Sequence, residues 1–192
     1  MKKLTRPILI TGLMGSGKSM IAHRIISEYK LPSLSMAVWI KETVRNHYEL
    51  GAIDKSIEIN GKAMRTILQD VGESMRAIDP NWHIDEVLKL VSKYKLKNFV
   101  IDDIRFKHEH EVLNKHFNCI NIKVNCSMAT RLERIIMRDM VVPTDSQLMN
   151  SSEIEVTHIP SDYIINNNGD IDTLYDQIDH ILRRKIHEST EA

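Results

Sequence analysis

The chain has 192 residues, a length that suits one α/β domain with a sizeable core. Lysine plus arginine and aspartate plus glutamate both number 26, so the formal net charge is zero, which argues against nucleic acid as the main partner. Cys119 and Cys126 lack the spacing of a disulfide framework or a zinc site. No uncharged run approaches the ~20 residues of a membrane span, so we expect a cytoplasmic protein with no membrane partner.

The first predicted elements surround a glycine-rich loop. Residues 7–11 predict a short buried strand, and apolar residues recur at helical spacing from Met20 to Tyr29. Between them, residues 12–19 read Gly-Leu-Met-Gly-Ser-Gly-Lys-Ser and fit the pattern G-x-x-x-x-G-K-[ST]. In such a loop, backbone N–H groups turn toward phosphate oxygens, and the following helix points the positive end of its dipole at the same anion. The sequence therefore predicts a nucleoside triphosphate site.

Each part of this loop has an expected role. Lys18 would reach the β- and γ-phosphates, and the Ser19 hydroxyl would ligate Mg²⁺. The other residues of the loop that we expect to contact the triphosphate are Gly12, Gly15, Ser16, Gly17 and Met20.

The next segment predicts helices that could carry an acceptor site. Residues 31–36 predict a short connection and second strand, residues 38–47 a helix that bears Lys41, and residues 51–61 a loop. A helix over 62–76 has one apolar stripe, and Arg65 and Gln69 share a different face of it at i, i+4, with Arg76 on the same helix. Spacing alone is equally compatible with a solvated polar face.

A further helix is predicted to begin at Asp79 and Pro80. Aspartate is a favoured N-cap, and proline suits the first helical position, so we expect the helix to run from there to about Tyr94. Trp82, near its start, would lie either in the core or against a base.

Two acids close the most apolar stretch of the chain. Residues 98–103 predict a central parallel strand that ends in Asp102 and Asp103. An acid at the carboxyl end of such a strand faces the phosphates and can hold magnesium through water. Because successive strand side chains point to opposite faces, one of the two suffices, and the other could cap the following helix. Arg105, in the turn after the strand, could grip a phosphate or pair with Asp103.

The second half of the chain continues the alternation of helices and strands. Residues 107–117 predict a helix whose two histidines, His108 and His110, we expect in solvent, and residues 119–124 predict a strand. A helix over 128–139 places three arginines on one stripe, at Arg131, Arg134 and Arg138. It leads into residues 141–152, which are polar and have no helical period, and which we interpret as a mobile lid. The stripe could instead be a solvated helix face.

The last strand is predicted over 162–166, followed by a turn at 167–169, a helix over 171–186 and a frayed tail over 187–192. The order of elements is βαβα throughout. We therefore predict an α/β protein with the P-loop NTPase fold: a parallel sheet of about five strands, helices on both faces and a lid segment.

The sequence resembles the phage-type deoxynucleoside monophosphate kinases of the adenylate-kinase-like P-loop group. Besides the glycine-rich loop, the resemblance rests on a series of short matches in the same order, which are Ala37 with Ile40-Lys41, Arg65-x-x-Leu68-Gln69-x-x-Gly72, Asp79-Pro80-x-Trp82, Asp103-Ile104-Arg105-Phe106 with Glu109, Ser152-Glu153 and the turn Ile165-Asn166-Asn167-Asn168-Gly169. Two departures stand out. The chain has Ser19-Met20 where members often carry Asp-Thr, and His108 where Asn is frequent.

The resemblance implies transfer of the γ-phosphoryl group of ATP, with Mg²⁺, to a (deoxy)nucleoside 5′-monophosphate. It makes residues 1–192 a single kinase domain with an acceptor-binding helical part at about 37–94 and a lid at about 139–153, and it leaves a homodimer open. The implied catalytic residues are Lys18, Asp103, Arg105, Arg131, Arg134 and Arg138. The implied acceptor-binding residues are Lys41, Arg65, Gln69, Arg76, Trp82 and Arg105. Asn168 would contact ATP, and Ser19 with Asp103, or with Asp102, would hold the metal.

Other functions are compatible with the same loop. A kinase for dephospho-coenzyme A or a sugar would share the loop, the acid and the lid, and a non-kinase ATPase would need a macromolecular partner for turnover. A switch GTPase is disfavoured because Asn114-Lys115-His116-Phe117 lacks the acid of the base-reading motif Asn-Lys-x-Asp. A polynucleotide kinase is disfavoured by the neutral balance of charge.

Overall fold

The computed structural model describes residues 4–54 and 56–188, except for the side chains of 184–188. Its main sheet has five parallel strands in the order β2-β5-β1-β6-β7. The strands are β1 (Ile8–Thr11), β2 (Ser33–Leu34), β5 (Val100–Ile101), β6 (Ile120–Asn125) and β7 (Tyr163–Asn166). This confirms the predicted α/β fold with about five parallel strands. Residues 1–3, 55 and 189–192 of the predicted domain, including the end of the predicted frayed tail, lie outside the described residues.

Helices cover both faces of the sheet. Their bounds are α1 (Lys18–Tyr29), α2 (Val38–His47), α3 (Met64–Ile78), α4 (Trp82–Lys93), α5 (Lys107–Phe117), α6 (Met128–Asp139), α7 (Asp145–Leu148), α8 (Ser151–Glu155) and α9 (Ile171–Glu188), with a 3₁₀ turn at Val156–His158. The last helix therefore extends two residues beyond the predicted end. Within the described residues, no helix is both long and apolar enough to cross a membrane.

Alternate residues of the strands feed two separate cores. Ile8 and Ile10 of β1 pack with α1 and α9 on one face, whereas Leu9 of the same strand packs with α4 and α5 on the other. Each of these three side chains is fully buried. Because both faces of the sheet are covered, Val100 and Ile101 of β5 are both fully buried, whereas β6 alternates apolar with polar residues. A smaller cluster joins α2 to α3 through Val44, Met64 and Ile67.

The structure corrects the predicted loop over 51–61. Glu58–Ile59 (β3) and Lys62–Ala63 (β4) form a two-stranded antiparallel hairpin, so α3 begins at Met64 rather than Lys62. The connecting residues are Asn60 and Gly61, and both have positive φ, at 52° and 74°. An Asn-Gly pair is the strongest local signal for such a two-residue turn, because both positions need left-handed backbone.

Two other boundaries differ from prediction. Helix α4 begins at Trp82, and the Asp79 carboxylate accepts the N–H of Asn81 at 2.9 Å, so Asp79 stabilises the turn before the helix instead of capping it. The segment 141–152, predicted to have no helical structure, contains α7 and the start of α8, whose caps are the Thr144 hydroxyl and the Asn150 side chain.

The prediction that both histidines of α5 face solvent is wrong for one of them. His110 is buried and its Nε2 lies 2.8 Å from Oδ1 of Asn121, whereas His108 is exposed. Burial lowers the pKa of His110.

Candidate active site

The glycine-rich loop takes the conformation that its glycines permit. Gly12, Gly15 and Gly17 have φ of 146°, 79° and 93°, values that side chains rarely adopt. A Cβ at Gly12 would lie 2.6 Å from the carbonyl oxygen of Val124 on the neighbouring strand. The loop therefore lies directly against β6, and Ser16 within it is fully buried, with no hydrogen-bond partner for its hydroxyl in the described part of the chain.

Lys18 lies inside this loop. Its ammonium donates to the carbonyl oxygens of Gly12 and Leu13, at 2.7 and 2.9 Å, and its side chain is almost completely buried. Burial, followed by the positive charge of Arg105, lowers the pKa of Lys18 from 10.5 to about 7. A phosphate group in the loop would supply the opposite charge that this ammonium lacks.

The two acids after β5, both offered by the sequence as metal ligands, have different hydrogen-bond partners. The Ser19 hydroxyl donates to Oδ2 of Asp102 at 2.7 Å, so Asp102 is the acid at the expected metal position. Asp103 instead accepts from the Ser35 hydroxyl at 2.6 Å and from the backbone N–H groups of Met36 and Ala37, at 2.9 and 3.0 Å. Asp103 therefore fixes the start of α2, and the geometry favours Asp102 as the partner of Mg²⁺.

A cavity of about 190 Å³ lies between this loop, α2, α3 and the lid. Five of the six residues predicted to bind the acceptor line it: Lys41, Arg65, Gln69, Arg76 and Arg105. The sixth, Trp82, does not; its ring packs edge-on against His83, with 4.9 Å between centroids. The position of Trp82 therefore does not support a contact with the acceptor, and because its side chain is only half-buried, it does not lie in the core either.

Three arginines of the cavity pair with acids. Nε of Arg76 lies 3.2 Å from Oε1 of the buried Glu109, and its guanidinium stacks over the ring of Phe106 at 4.2 Å. Arg105 pairs with Glu153, and Arg65 pairs with Asp139. Glu109, Glu153 and Asp139 are buried acids for which the sequence predicted no role.

The three arginines of α6 do not act as one stripe. Nη1 of Arg131 donates to the carbonyl oxygen of Met14 in the glycine-rich loop at 3.3 Å, and Nη2 of Arg134 reaches Oδ1 of Asn167 at 3.5 Å. Arg138, which is half exposed, pairs with the adjacent Asp139 at 2.8 Å. Two of the three therefore border the predicted triphosphate site, and the third lies at the start of the lid.

The turn after β7 contributes Asn167 rather than Asn168. Asn167 is buried, and its amide donates to the carbonyl oxygen of Ser16 at 2.8 Å, whereas Asn168 is exposed and accepts from the N–H of Ser127 at 2.7 Å. A Cβ at Gly17 would collide with the Asn167 side chain. Asn167 therefore braces the glycine-rich loop, a role that the sequence did not predict, and the contact of Asn168 with ATP stays a prediction.

The predicted lid contacts α3. The Gln147 amide donates to the Thr66 hydroxyl at 3.1 Å, and the amide of Asn150 and the hydroxyl of Ser151 donate to Glu73 at 2.8 and 3.1 Å. Asn150, Ser152 and Glu153 of this segment line the cavity.

The residues present fit a magnesium-bound triphosphate. The glycine-rich loop supplies backbone donors. Among residues 4–54 and 56–188, the buried Ser16 hydroxyl has no hydrogen-bond partner, and the Lys18 ammonium donates only to carbonyl oxygens. Mg²⁺ is usually held by one or two protein oxygens together with phosphates and water, and the converging oxygens of Ser19 and Asp102 meet that requirement. Met20, which the sequence also placed at the triphosphate, follows Ser19 in the first turn of α1 and is exposed.

Solved structures of kinases share this fold. A gluconokinase from Sinorhizobium meliloti 1021 aligns with a TM-score of 0.56 at 13% identity, over 98% of this chain and 97% of that chain. A sugar kinase from Janibacter sp. HTCC2649 aligns with a TM-score of 0.54 at 15% identity, over 93% of this chain and 95% of that chain. A shikimate kinase from Acinetobacter baumannii in complex with shikimate aligns with a TM-score of 0.52 at 15% identity, over 97% of this chain and 96% of that chain. No family model and no curated protein matches the sequence. At such identities the likeness shows the fold alone: the chain has the fold of these small kinases.

Proposed function

We propose that the protein transfers the γ-phosphoryl group of Mg-ATP to a small acceptor, and that the acceptor is a nucleoside or deoxynucleoside 5′-monophosphate. The observation that carries the proposal is the cavity beside the glycine-rich loop, whose wall holds Lys41 and three arginines together with Gln69. The kinase fold of the solved structures supports the class of reaction. The nucleotide acceptor rests on the cavity and on the resemblance to the phage-type kinases.

The charges of the cavity favour a phosphate-bearing acceptor. An arginine binds a phosphate with two parallel hydrogen bonds, and Arg65 and Arg105 approach the cavity from different elements, so both could hold one dianion. A nucleotide base would lie farther along α3, where Leu68, Gln69 and the Phe106 ring offer apolar contact and one amide. An acceptor such as gluconate or shikimate, with one carboxylate, needs fewer cations.

In phosphoryl transfer the main tasks of the protein are to position the two substrates and to neutralise the charge on the phosphate oxygens. Ser19 and Asp102 would hold Mg²⁺, which would supply neutralisation of phosphate charge when bound. Lys18 holds the β- and γ-phosphates, Asp102 and Ser19 orient the metal site, and Arg105 faces the oxygens of both substrates. The lid keeps water out, because transfer to water would waste ATP. No side chain needs to form a covalent bond.

An acceptor panel tests the proposal. The protein is incubated with Mg-ATP and, separately, each ribo- and deoxyribonucleoside monophosphate, gluconate, shikimate, dephospho-coenzyme A, an oligonucleotide with a 5′-hydroxyl, or buffer alone, and products are resolved by chromatography. We expect a nucleoside diphosphate from at least one monophosphate, and about 10²- to 10³-fold slower formation of it by Lys18→Met protein prepared in parallel. Phosphorylation of gluconate or shikimate alone would replace the nucleotide proposal, and ADP formation without any acceptor would favour an ATPase.

Arg65→Ala should raise the acceptor KM by about 10- to 100-fold, because a charged hydrogen-bonding pair to a phosphate is lost. The KM for ATP should change little, since Arg65 lies on α3 at the acceptor cavity. Initial rates at varied concentrations of each substrate measure both constants. Arg45→Ala is the matched control, because Arg45 is an exposed arginine on α2 that does not line this cavity. Equal increases in both KM values would contradict the acceptor role.

A further inference from the structure

Glu153 connects three parts of the site through one carboxylate. It lies on α8 at the end of the lid and is only 5% exposed. Its Oε2 accepts the backbone N–H of Met14 in the glycine-rich loop at 2.7 Å, and its Oε1 pairs with Nη1 of Arg105. The lid, the loop and the turn after β5 therefore meet at this side chain.

Arg105 is held from both ends by acids. Its backbone N–H donates to Oε2 of Glu109 at 3.0 Å, which fixes the main chain, and Glu153 engages one terminal nitrogen of the guanidinium. In the described part of the chain, Glu153 supplies the only salt-bridge partner of that guanidinium. An arginine side chain has several rotatable bonds, so a buried partner at its tip selects one orientation out of many. The remaining donors of the fork stay available to a ligand.

Glu153 stands in the wall of the cavity and does not fill it. With the carboxylate in place, about 190 Å³ remain open beside Arg65, Gln69 and Arg105. A carboxylate that acted as a plug would occupy the space where an acceptor phosphate meets these cations. The open space favours an orienting role.

We propose that Glu153 is a positioning residue: when the lid closes, it sets Arg105 toward the acceptor and fastens the lid to the glycine-rich loop, so that closure and alignment are one event. The inference rests on the proposed function for its kinetic readout. Reaction rates fall steeply when a charged group is misplaced by about 1 Å, so a residue that only orients Arg105 has a measurable effect on turnover.

A double-mutant cycle tests whether Glu153 acts through Arg105. Glu153→Ala, Arg105→Ala and the double variant are compared with whichever acceptor the wild-type enzyme phosphorylates. We expect Glu153→Ala to lower kcat/KM for the acceptor by about 10- to 100-fold while the KM for ATP changes less than about twofold. Most of this loss should disappear when Arg105 is already alanine, and the remainder reflects the contact of Glu153 with the Met14 N–H. Glu153→Gln, which retains hydrogen bonding, should recover part of the loss.

Glu155→Ala is the matched control, because Glu155 is exposed on the same short helix. It should leave the kinetic constants unchanged. Additive losses in the double variant would overturn the inference, since Glu153 would then act independently of Arg105. A lower acceptor KM in Glu153→Ala would overturn it in favour of a plug, and reduced thermal stability with unchanged kinetic constants would leave only a structural role.

A second measurement needs no acceptor and separates failure of this inference from failure of the proposed function. If Glu153 links Arg105 to the lid, the coupling is reciprocal, so Arg105→Ala should speed amide hydrogen exchange across residues 151–155 as Glu153→Ala does. Exchange that stays at the wild-type rate in Arg105→Ala would refute the link, even if no acceptor of any class were found. If the double variant folds poorly, the hydrogen-exchange measurement on Arg105→Ala still decides whether Glu153 links Arg105 to the lid.

Discussion

Lys18→Met should lower turnover by about 10²- to 10³-fold, with no loss of thermal stability. The Lys18 ammonium is buried within the glycine-rich loop, and charge that develops on the transferred phosphoryl group in a water-poor site depends on such a fixed partner. Methionine fills a similar volume without a charge. The measurement is kcat in the diphosphate assay, with thermal unfolding of both proteins by circular dichroism. Turnover near the wild-type value would remove Lys18 from the mechanism.

The same variant has a second expected signature in the unliganded protein. The folded-state pKa of Lys18, about 7, lies below its ordinary value of 10.5, so between these pH values the unfolded chain holds a proton that the folded chain has released. Stability from this group therefore rises with pH across that window, and the full cost of the buried charge is present below pH 7. Lys18→Met should abolish this contribution.

Urea unfolding at pH 7 and pH 9 measures the contribution of Lys18 to the free energy of unfolding, as the difference between the wild-type protein and Lys18→Met at each pH. Burial raises the pKa of Cys119 to about 12, which contributes a slope of the opposite sign at high pH, but this contribution is common to both proteins and cancels. A difference in unfolding free energy that is the same at both pH values would mean that Lys18 is not desolvated in the free protein.

The elements that could be predicted from the sequence are those with a long local pattern. The glycine-rich loop, the helices at 38–47, 107–117 and 128–139, and the apolar strands carry their signal within a few residues, and the structure confirms them. The strand order could not be predicted, because β5 lies between β1 and β2 through pairings about 65 to 90 residues apart in sequence. Helices of four and five residues, such as α7 and α8, are too short to show a period.

The residues of the candidate site also differ in whether the sequence could predict that they lie together. Residues on one helix or one loop, such as Arg65 and Gln69, could be placed together by spacing alone. Glu153 could not, because its two partners lie 139 and 48 residues away in sequence. The pairing of Asp139 could not be predicted either, since its partner Arg65 lies 74 residues away in sequence. The Asn60-Gly61 hairpin, by contrast, had a strong local signal that the absence of apolar alternation around it obscured.

The choice between Asp102 and Asp103 shows how little separates two adjacent residues until the chain is folded. Strand β5 ends at Ile101, so the two acids leave it in different directions. Asp102 turns toward Ser19 and the glycine-rich loop, and Asp103 turns toward Ser35 and the start of α2. Spacing relative to Arg105 favoured Asp103, but the partners of each carboxylate favour Asp102 at the metal.

Asp102→Asn should therefore lower kcat by about 10- to 100-fold and raise the Mg²⁺ concentration needed for half-maximal rate, because a neutral amide is a much weaker partner for the metal and its bound water. Asp103→Asn should act differently: the amide cannot accept from Ser35, Met36 and Ala37 together, so the start of α2 loosens and the acceptor KM rises while the Mg²⁺ requirement stays constant. The two variants change the same chemical group one residue apart, so each serves as the control for the other. Rates measured across a titration of free Mg²⁺ at saturating ATP, and then across a titration of acceptor, separate the two effects. If Asp103→Asn instead showed the larger Mg²⁺ dependence, the metal would belong to Asp103, and the hydrogen bonds that hold Asp103 on α2 would have to break whenever the metal binds.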